Sequence, residues 1–398
     1  MTVSGAQAAA RFVPDFMPAW LAIAISDGTE PAPVIEKLGD PREEITTWAQ
    51  ARTVFTLAHL GLAAQDQTLI AQSARIKAYM MDHLIRPEGG CRMAIRGDGR
   101  AYGSADKDLC RTYDFAFVLL GLVTLQKADA SAVTDAEIAA CRDFIDAALT
   151  DPSTGALWEN DAMGRDGPKD GDTRAQNPHM HMAETYLQCF EMTGAQDWAD
   201  RAKRLLEIGA DYFIEPLNGG MREFLAPDLT PMASALGQRC EPGHQYEWAW
   251  LYLRYGQLTG DQSLDRHAEK LAAFAARCGL RSDGPLKDAP FDAFATSGAV
   301  IEDTHLLWPL TEAGKFHAMM YRLTDDDAHM AALTRIADII FGHYFAADAR
   351  AEWVNQLDAN GAVVWADGLT RVLYHMAIFI TEGALSGAWT LKEPMARI

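Results

Sequence analysis

Turn-forming residues return along the chain at nearly even intervals, and this repeat constrains the fold more than any other feature. The turns begin at residues 87, 151, 215, 278 and 351, so that successive starts are 64, 64, 63 and 73 residues apart. Between the turns, apolar residues recur at helical spacing in about twelve segments, whereas strand patterns are short and scarce. Each interval therefore accommodates two helices and a short hairpin.

Six helical pairs of this kind predict an all-α (α/α)6 barrel with short hairpins between the pairs. The ring would close where a helix near residues 15–25 packs against one near 370–384. An open α-solenoid is the structural alternative. The more apolar helices should line the inside of the barrel, and they lie near residues 113–125, 179–190, 244–258 and 304–321.

Charge and cysteine usage restrict the partners and the compartment. The chain has 35 Lys and Arg against 55 Asp and Glu, and this net charge of −20 repels nucleic acids and anionic membranes. No apolar run is long enough to span a bilayer. The six cysteines form no CxxC pair and the N-terminus has no signal-peptide core, so we expect a reducing cytoplasm. Without an evident linker, residues 1–398 are predicted to form one domain.

Two histidines each precede a glutamate by three residues, and both pairs lie near the start of a predicted helix. His181 precedes Glu184, and His244 precedes Glu247. Residues at this spacing share one helix face. A carboxylate that accepts a hydrogen bond from an imidazole fixes its tautomer and raises its basicity, which prepares a histidine for proton transfer.

A third histidine, His375, lies among apolar residues on a predicted helix. In a barrel, His375 can share one cavity at the mouth with His181 and His244. His179 points away from His181 and is interpreted as structural. Three histidines also suggest zinc, but no His-Glu-x-x-His or paired-cysteine signature accompanies them, so we predict no metal. No GxxxxGK[ST] loop indicates a nucleotide, and we predict no cofactor.

Six motifs follow one another along nearly the whole chain. They are Ala51-Arg52, Tyr113-Asp-Phe-Ala-Phe117, Asn177-Pro-His-Met-His181, Glu241-Pro-Gly-His-Gln-Tyr-Glu-Trp248, Trp308-Pro-Leu-Thr-Glu-Ala313 and Tyr374-His375. Together they resemble the N-acylglucosamine 2-epimerase superfamily, which includes mannose isomerases, sulfoquinovose isomerases and cellobiose 2-epimerases. The resemblance implies an (α/α)6 barrel that moves a proton next to the carbonyl of a free sugar, without a redox cofactor or an obligatory metal.

The resemblance also implies a catalytic role for five of the matched residues. His375 and His244 would be the acid/base pair, one helping to open the sugar ring and the other working at C2. Glu247 would tune His244. His181 would hydrogen-bond the carbonyl or ring oxygen of the sugar, and Arg52 would stabilise negative charge on an enediolate.

A second set of residues is expected to bind the sugar, which is the predicted small-molecule partner. The set is Tyr113, Asn177, Trp308, Glu312 and Arg371. Tyr113 and Asn177 would contact hydroxyl groups, and Trp308 would present a flat face to the ring. Arg371 lies one helical turn before His375, and this residue or Arg239 could meet an anionic substituent.

Isomerisation of mannose to fructose is the first expectation for the activity. A sugar 2-epimerase uses the same cis-enediolate, and an isomerase of an acidic sugar such as sulfoquinovose is a further alternative. A glycoside hydrolase on the same barrel could use Asp114 with Glu302 and Asp303. A non-catalytic binding scaffold is the alternative from another class. A homo-oligomer is compatible with each of them.

Overall fold

The computed structural model describes residues 3–26, 28–347 and 350–391, and its regular structure is mainly helical. In chain order the α-helices are α1 (Gly5–Ala10), α2 (Met17–Ala24), α3 (Thr47–Ala64), α4 (Gln67–His83), α5 (Thr112–Ala128), α6 (Asp135–Phe144), α7 (Asp161–Asp166), α8 (Gln176–Thr193), α9 (Gln196–Ile208), α10 (Ala235–Gln238), α11 (Pro242–Thr259), α12 (Asp265–Cys278), α13 (Leu307–Thr324), α14 (Asp327–Ile339) and α15 (Leu373–Leu385). Short π-helical segments occupy Phe12–Phe16, Ile145–Leu149, Gly209–Phe213 and Ile340–Tyr344, and a 3₁₀ turn occupies Thr370–Val372.

Six of the α-helices form a closed inner ring. Helices α3, α5, α8, α11, α13 and α15 each pack on the next, and α15 packs back on α3. The predicted (α/α)6 barrel is therefore confirmed, and the open solenoid is wrong. The closure differs in one detail from the prediction, because α15 packs on α3 and makes no extensive contact with α2, the helix in the predicted segment 15–25, while α1 packs on α14. Inner helices approach closely, since a Cβ atom at Gly314 would lie 2.4 Å from the Phe379 ring.

Short antiparallel strands sit at one end of the barrel. They are β1 (Glu44–Thr46), β2 (Ala94–Arg96), β3 (Arg174–Ala175), β4 (Phe224–Leu225), β5 (Arg239–Cys240), β6 (Ala293–Ala295), β7 (Val300–Glu302), β8 (His305–Leu306), β9 (Gln356–Leu357) and β10 (Val363–Trp365). The sheets are β1–β2, β3–β4, β5–β6–β7 and β8–β9–β10. Strands β1, β3, β5 and β8 immediately precede or closely approach inner helices, so the pairings gather the helix N-termini at one mouth.

The repeat seen in the sequence has a direct structural counterpart. Each predicted turn lies within or beside a chain reversal that an isolated pair of bridged residues closes, and these pairs are Ile85–Cys91, Thr150–Leu157, Ile214–Met221, Leu280–Pro290 and Phe345–Trp353. The repeating unit is thus an outer helix, a tight reversal and an inner helix.

Four carboxylates cap the inner helices in the same way, and we call Glu36, Glu159, Glu223 and Asp292 the capping carboxylates. They accept the backbone N–H of Thr46, Ala175, Glu241 and Leu306, respectively, over 2.8, 2.6, 3.0 and 2.5 Å. These four residues are the N-caps of α3, α8, α11 and α13. An N–H group in this position has no partner within the helix, and the helix dipole also stabilises a negative charge there.

Two absences follow from the described residues. None of their helices is both long and apolar enough to cross a membrane. All six cysteines are free thiols, although Cys91 and Cys110 approach to 3.6 Å between their sulfur atoms.

Candidate active site

A cavity of about 210 Å³ opens at the mouth where the inner helices begin. Eight residues predicted from the sequence line it: Arg52, Tyr113, Asn177, His181, His244, Trp308, Arg371 and His375. The structure therefore brings together residues that are up to 323 positions apart, as are Arg52 and His375. Two predicted residues, Glu247 and Glu312, do not line this cavity and lie buried among the inner helices.

His244 is paired with a carboxylate that the sequence did not reveal. Its Nδ1 lies 2.8 Å from Glu223 Oε2 and 3.5 Å from Glu241 Oε2. Burial lowers the pKa of His244, but the Glu223 carboxylate outweighs burial and raises that pKa to about 9. The imidazole is therefore cationic at neutral pH. Glu223, and not Glu247, accepts the hydrogen bond from His244, while the charge of Glu247 also contributes to the raised pKa of His244.

Replacing Glu223 with glutamine is expected to lower the pKa of His244, because the amide cannot stabilise an imidazolium by charge while burial still opposes it. An NMR titration of the His244 ring should give a midpoint near 9 in the original protein and a lower one in the variant. Glu159→Gln is the matched control, since this capping carboxylate belongs to α8 and binds Ala175 N–H. An unchanged His244 midpoint in Glu223→Gln would contradict the assignment.

His375 has the opposite electrostatic setting. Its Nδ1 lies 2.8 Å from Glu312 Oε1, and the second oxygen of Glu312 forms an ion pair with Lys315. Burial, followed by the positive charges of Arg52 and Lys315, lowers the pKa of His375 well below its usual value. A neutral ring with Nδ1–H on Glu312 leaves Nε2 unprotonated. Glu312 was predicted to bind the sugar, but it lies fully buried behind His375.

His181 is neutral and held by a second glutamate. Its Nδ1 lies 3.3 Å from Glu184 Oε2, as the i, i+3 spacing predicted, and 3.8 Å from Glu247 Oε1. Burial lowers the pKa of His181 to about 3, although Glu184 opposes this. Tyr374 donates a hydrogen bond to the same oxygen of Glu184. With Nδ1–H on Glu184, the other ring nitrogen of His181 is an acceptor, which suits a sugar hydroxyl better than a carbonyl oxygen.

Arg52 is one of two arginines that line the cavity. Its guanidinium donates to Tyr113 Oη over 2.6 Å and lies 3.4 Å from His375 Nε2. The guanidinium carbon also lies 4.1 Å from the Phe117 ring centroid and 4.8 Å from that of Tyr374. Arg52 is only 3 % exposed, so aromatic rings and not a surface ion pair hold it in place.

Trp308 lies between the two differently charged histidines. Its ring centroid is 4.7 Å from that of His244 and 5.7 Å from that of His375. The side-chain oxygen of Asn177 is buried without a partner and can accept from a ligand. The Arg371 guanidinium lies 4.0 Å from the Trp48 ring and makes no hydrogen bond or ion pair among the described side chains.

The carboxylates proposed for a glycoside hydrolase do not meet in the cavity. Asp114 is fully buried and forms a two-pronged ion pair with Arg111, at 2.7 and 2.8 Å. Glu302 lies on the exposed strand β7 and binds Arg239. Neither Asp114 nor Glu302 lines the cavity, and Asp303 does not either. Glu302 and Glu241 accept hydrogen bonds from the guanidinium of Arg239, so Arg239 is not free for an anionic substituent.

His179 is structural, as its position beside His181 predicted. Its ring nitrogens bond the carbonyl of Ala175 and the N–H of Leu157 in the buried interior.

Three groups of side chains have the spacing of metal ligands: His181 with Glu184 and Glu247, Glu247 with Glu312 and His375, and Glu223 with Glu241 and His244. In the first two groups, the ammonium of Lys315 already lies against Glu312 and 4.0 Å from Glu247. In the third, Gln176 Nε2 and Glu241 N–H donate to Glu223 in addition to His244. The Lys315 ammonium thus supplies a positive charge beside Glu312 and Glu247, whereas Glu184 Oε1 and both oxygens of Glu247 accept no hydrogen bond among the described groups.

Four residues of functional interest escaped the sequence analysis. Trp48 and Trp365 line the cavity, Glu223 binds His244, and Lys315 supports Glu312. Of these four residues, only Glu223 could have been identified from the sequence. It follows the turn that begins at residue 215 by eight positions, and Glu159 follows the turn at residue 151 by the same number. Aligning the repeats would have marked both positions as buried acceptors.

Comparison with known proteins matches residues 35–378 to the family described as N-acylglucosamine 2-epimerase (GlcNAc 2-epimerase). A mannose-6-phosphate isomerase of Rhizobium meliloti (strain 1021) is 29 % identical over 211 residues, which cover 52 % of this chain and 54 % of that protein. A D-mannose isomerase of Thermobifida fusca is 25 % identical over 342 residues, covering 80 % of this chain and 78 % of that protein.

The fold has counterparts among solved structures. The cellobiose 2-epimerase of Bacillus thermoamylovorans B4167 superposes with a TM-score of 0.80 and covers 94 % of this chain and 97 % of that chain. Its sequence identity is 16 %, so the likeness concerns the fold.

Proposed function

The chain belongs to the N-acylglucosamine 2-epimerase family, and from this premise we propose that it is an aldose–ketose isomerase that converts D-mannose to D-fructose. One observation carries the proposal. Two imidazoles in different protonation states, the cationic His244 and the neutral His375, line the same cavity beside Trp308. An acid and a base within reach of one sugar ring are what this reaction requires.

The charge states support a division of labour between the histidines. His244 donates its proton to the ring oxygen as the C1–O bond of the ring breaks, and the neutral imidazole then takes the O1–H proton, which leaves an aldehyde at C1. His375 takes the proton from C2 through its unprotonated Nε2; the electron pair left at C2 forms the C1–C2 double bond, and the C1 carbonyl pair moves to O1 to give the cis-enediolate. His375 returns the proton to C1 while the O2–H proton passes to O1, and the carbonyl at C2 is that of the ketose. Arg52, beside His375 Nε2, stabilises the negative charge on the enediolate oxygen.

The remaining polar groups support recognition of a neutral sugar. The acceptor nitrogen of His181 and the unpartnered oxygen of Asn177 suit hydroxyl donors. Trp308 suits the apolar face of a pyranose ring, and Tyr113 orients Arg52 through their hydrogen bond.

An anionic sugar is the second candidate substrate. Arg371 lines the cavity and has no hydrogen-bond acceptor among the described side chains, and one relative is named a mannose-6-phosphate isomerase. Burial, followed by the nearby charge of Arg52, lowers the pKa of Arg371, and a phosphate or sulfonate would relieve that repulsion.

Proton NMR in deuterium oxide tests the function directly. The panel consists of mannose, mannose 6-phosphate, glucose, N-acetylmannosamine, cellobiose and sulfoquinovose, with an empty-vector preparation as background. We expect fructose from mannose, with deuterium exchange at C2. Faster turnover of mannose 6-phosphate or sulfoquinovose would assign the anionic class, and a C2 epimer with little ketose would assign an epimerase. If no sugar changes or exchanges its C2 proton, the proposed function is wrong.

A further inference from the structure

Lys315 is an ammonium group sealed inside the barrel beneath the cavity. It is 0 % exposed, and it does not line the cavity. Its Nζ forms an ion pair with Glu312 Oε2, lies 4.0 Å from Glu247 Oε1 and stands 4.2 Å from the Trp250 ring centroid. Burying a charge costs free energy unless partners compensate it, so a lysine in this position requires a physical reason.

The reason lies in the carboxylates around it. Glu184, Glu247 and Glu312 come from α8, α11 and α13 and are each at most 1 % exposed. Burial lowers the pKa of Lys315, but Glu312 and Glu247 outweigh burial and raise it above its usual value, so the amine is charged. Burial raises the pKa of Glu312, and Lys315 opposes that rise. Lys315 thus favours an ionised Glu312.

Glu312 connects Lys315 to the reacting histidine. One of its oxygens faces Lys315 and the other faces His375 Nδ1 at 2.8 Å. An ionised Glu312 can only accept, so it holds the histidine proton on Nδ1 and leaves Nε2 free. A neutral Glu312 could instead donate to Nδ1, which would move the ring proton to Nε2. That tautomer cannot accept a proton from the cavity.

We propose that Lys315 is a positioning residue that keeps Glu312 ionised and thereby fixes His375 in the tautomer whose Nε2 can act as a base. The proposal deepens the proposed function and rests on it for the catalytic consequence. The tautomer itself is a property of the protein without substrate.

The first test is therefore independent of turnover. Nitrogen-15 NMR of histidine-labelled protein distinguishes protonated from unprotonated ring nitrogens, and a His375→Gln sample assigns the signals. We expect protonated Nδ1 and unprotonated Nε2 at His375 in the original protein, and a shift toward protonated Nε2 in Lys315→Met. A protonated Nε2 in the original protein, or an unchanged tautomer in Lys315→Met, would overturn the proposal even if the protein is an isomerase.

The second test uses kinetics on the sugar identified above. Loss of a correctly prepared general base should lower kcat by about 10²-fold or more in Lys315→Met, with KM little changed. In a Glu312→Gln background the same lysine change should cause no further fall in kcat, because Lys315 acts through Glu312. Additive losses would indicate a structural role and would overturn the proposal.

Two further variants keep the result interpretable. Lys77→Met is the matched control, since it breaks a lysine–glutamate pair, with Glu137, that lies between outer helices and is only partly buried. It should leave the His375 tautomer and kcat unchanged. If Lys315→Met does not fold, the Lys315→Met/Glu312→Gln double variant removes both buried charges together, and its His375 tautomer should no longer be fixed on Nδ1. If the original protein turns over no sugar, the proposed function fails, while the NMR result still decides the tautomer.

Discussion

Replacing His375 with glutamine is expected to lower kcat by about 10²–10⁴-fold, the contribution typical of a general base. Glutamine can still accept from or donate to neighbouring groups, but it cannot take a proton from carbon. Because the base acts at C2, deuterium exchange at that carbon should disappear together with ketose formation. Initial rates and C2 exchange, both followed by proton NMR in deuterium oxide, measure the two losses on one sample.

His59→Gln is the matched control for this prediction. His59 is also a histidine of an inner helix, but its Nε2 bonds Thr381 Oγ1 and it does not line the catalytic cavity. The control should retain kcat. Substantial C2 exchange in the His375 variant would assign the base to another residue and would contradict the proposed mechanism.

Replacing Arg52 with methionine is expected to lower kcat by about 10²–10³-fold, because the enediolate loses a preorganised hydrogen-bond donor. Arg52→Lys should recover part of the loss at most, since an ammonium lacks the planar fork that reaches Tyr113 and the sugar together. The measurement is kcat and KM for both variants on the same sugar.

Thermal unfolding distinguishes catalysis from packing at this position. The Arg52 guanidinium stacks on Phe117 and Tyr374, so Arg52→Met also changes contacts of the inner ring. The methionine side chain preserves much of that apolar contact, and we expect a folded variant with a similar melting temperature. A melting temperature that falls in parallel with kcat would show that the arginine is mainly structural.

The fold could be predicted because a repeat constrains every unit in the same way. Five turns at similar spacing, each followed by an apolar helix, leave few arrangements other than a ring of helical pairs. The exact closure of the ring could not be predicted. The sequence pattern suggested that a helix near residues 15–25 packs against one near 370–384, whereas α15 packs on α3. Packing of α15 on α3 depends on side-chain complementarity that periodicity does not encode.

The cavity lining was largely predictable, whereas the partners of its histidines were not. His181 and Glu184 pair as spacing predicted, because both lie on one helix. His244 and Glu247 have the same spacing, yet Glu223 from 21 residues upstream approaches His244 more closely. Likewise, Glu312 reaches His375 from another helix. Such pairings depend on how separate segments align in space, which one sequence does not specify.

The capping carboxylates make this barrel a favourable starting point for moving a reaction centre between repeats. The third helical position holds His244 in α11, but Pro178 in α8 and Pro309 in α13. In all three units a carboxylate is already present because it caps the N-terminus of the inner helix. A histidine at the third helical position can therefore pair with a carboxylate that the helix cap already supplies. A protein engineer has three further capping carboxylates, at Glu36, Glu159 and Asp292.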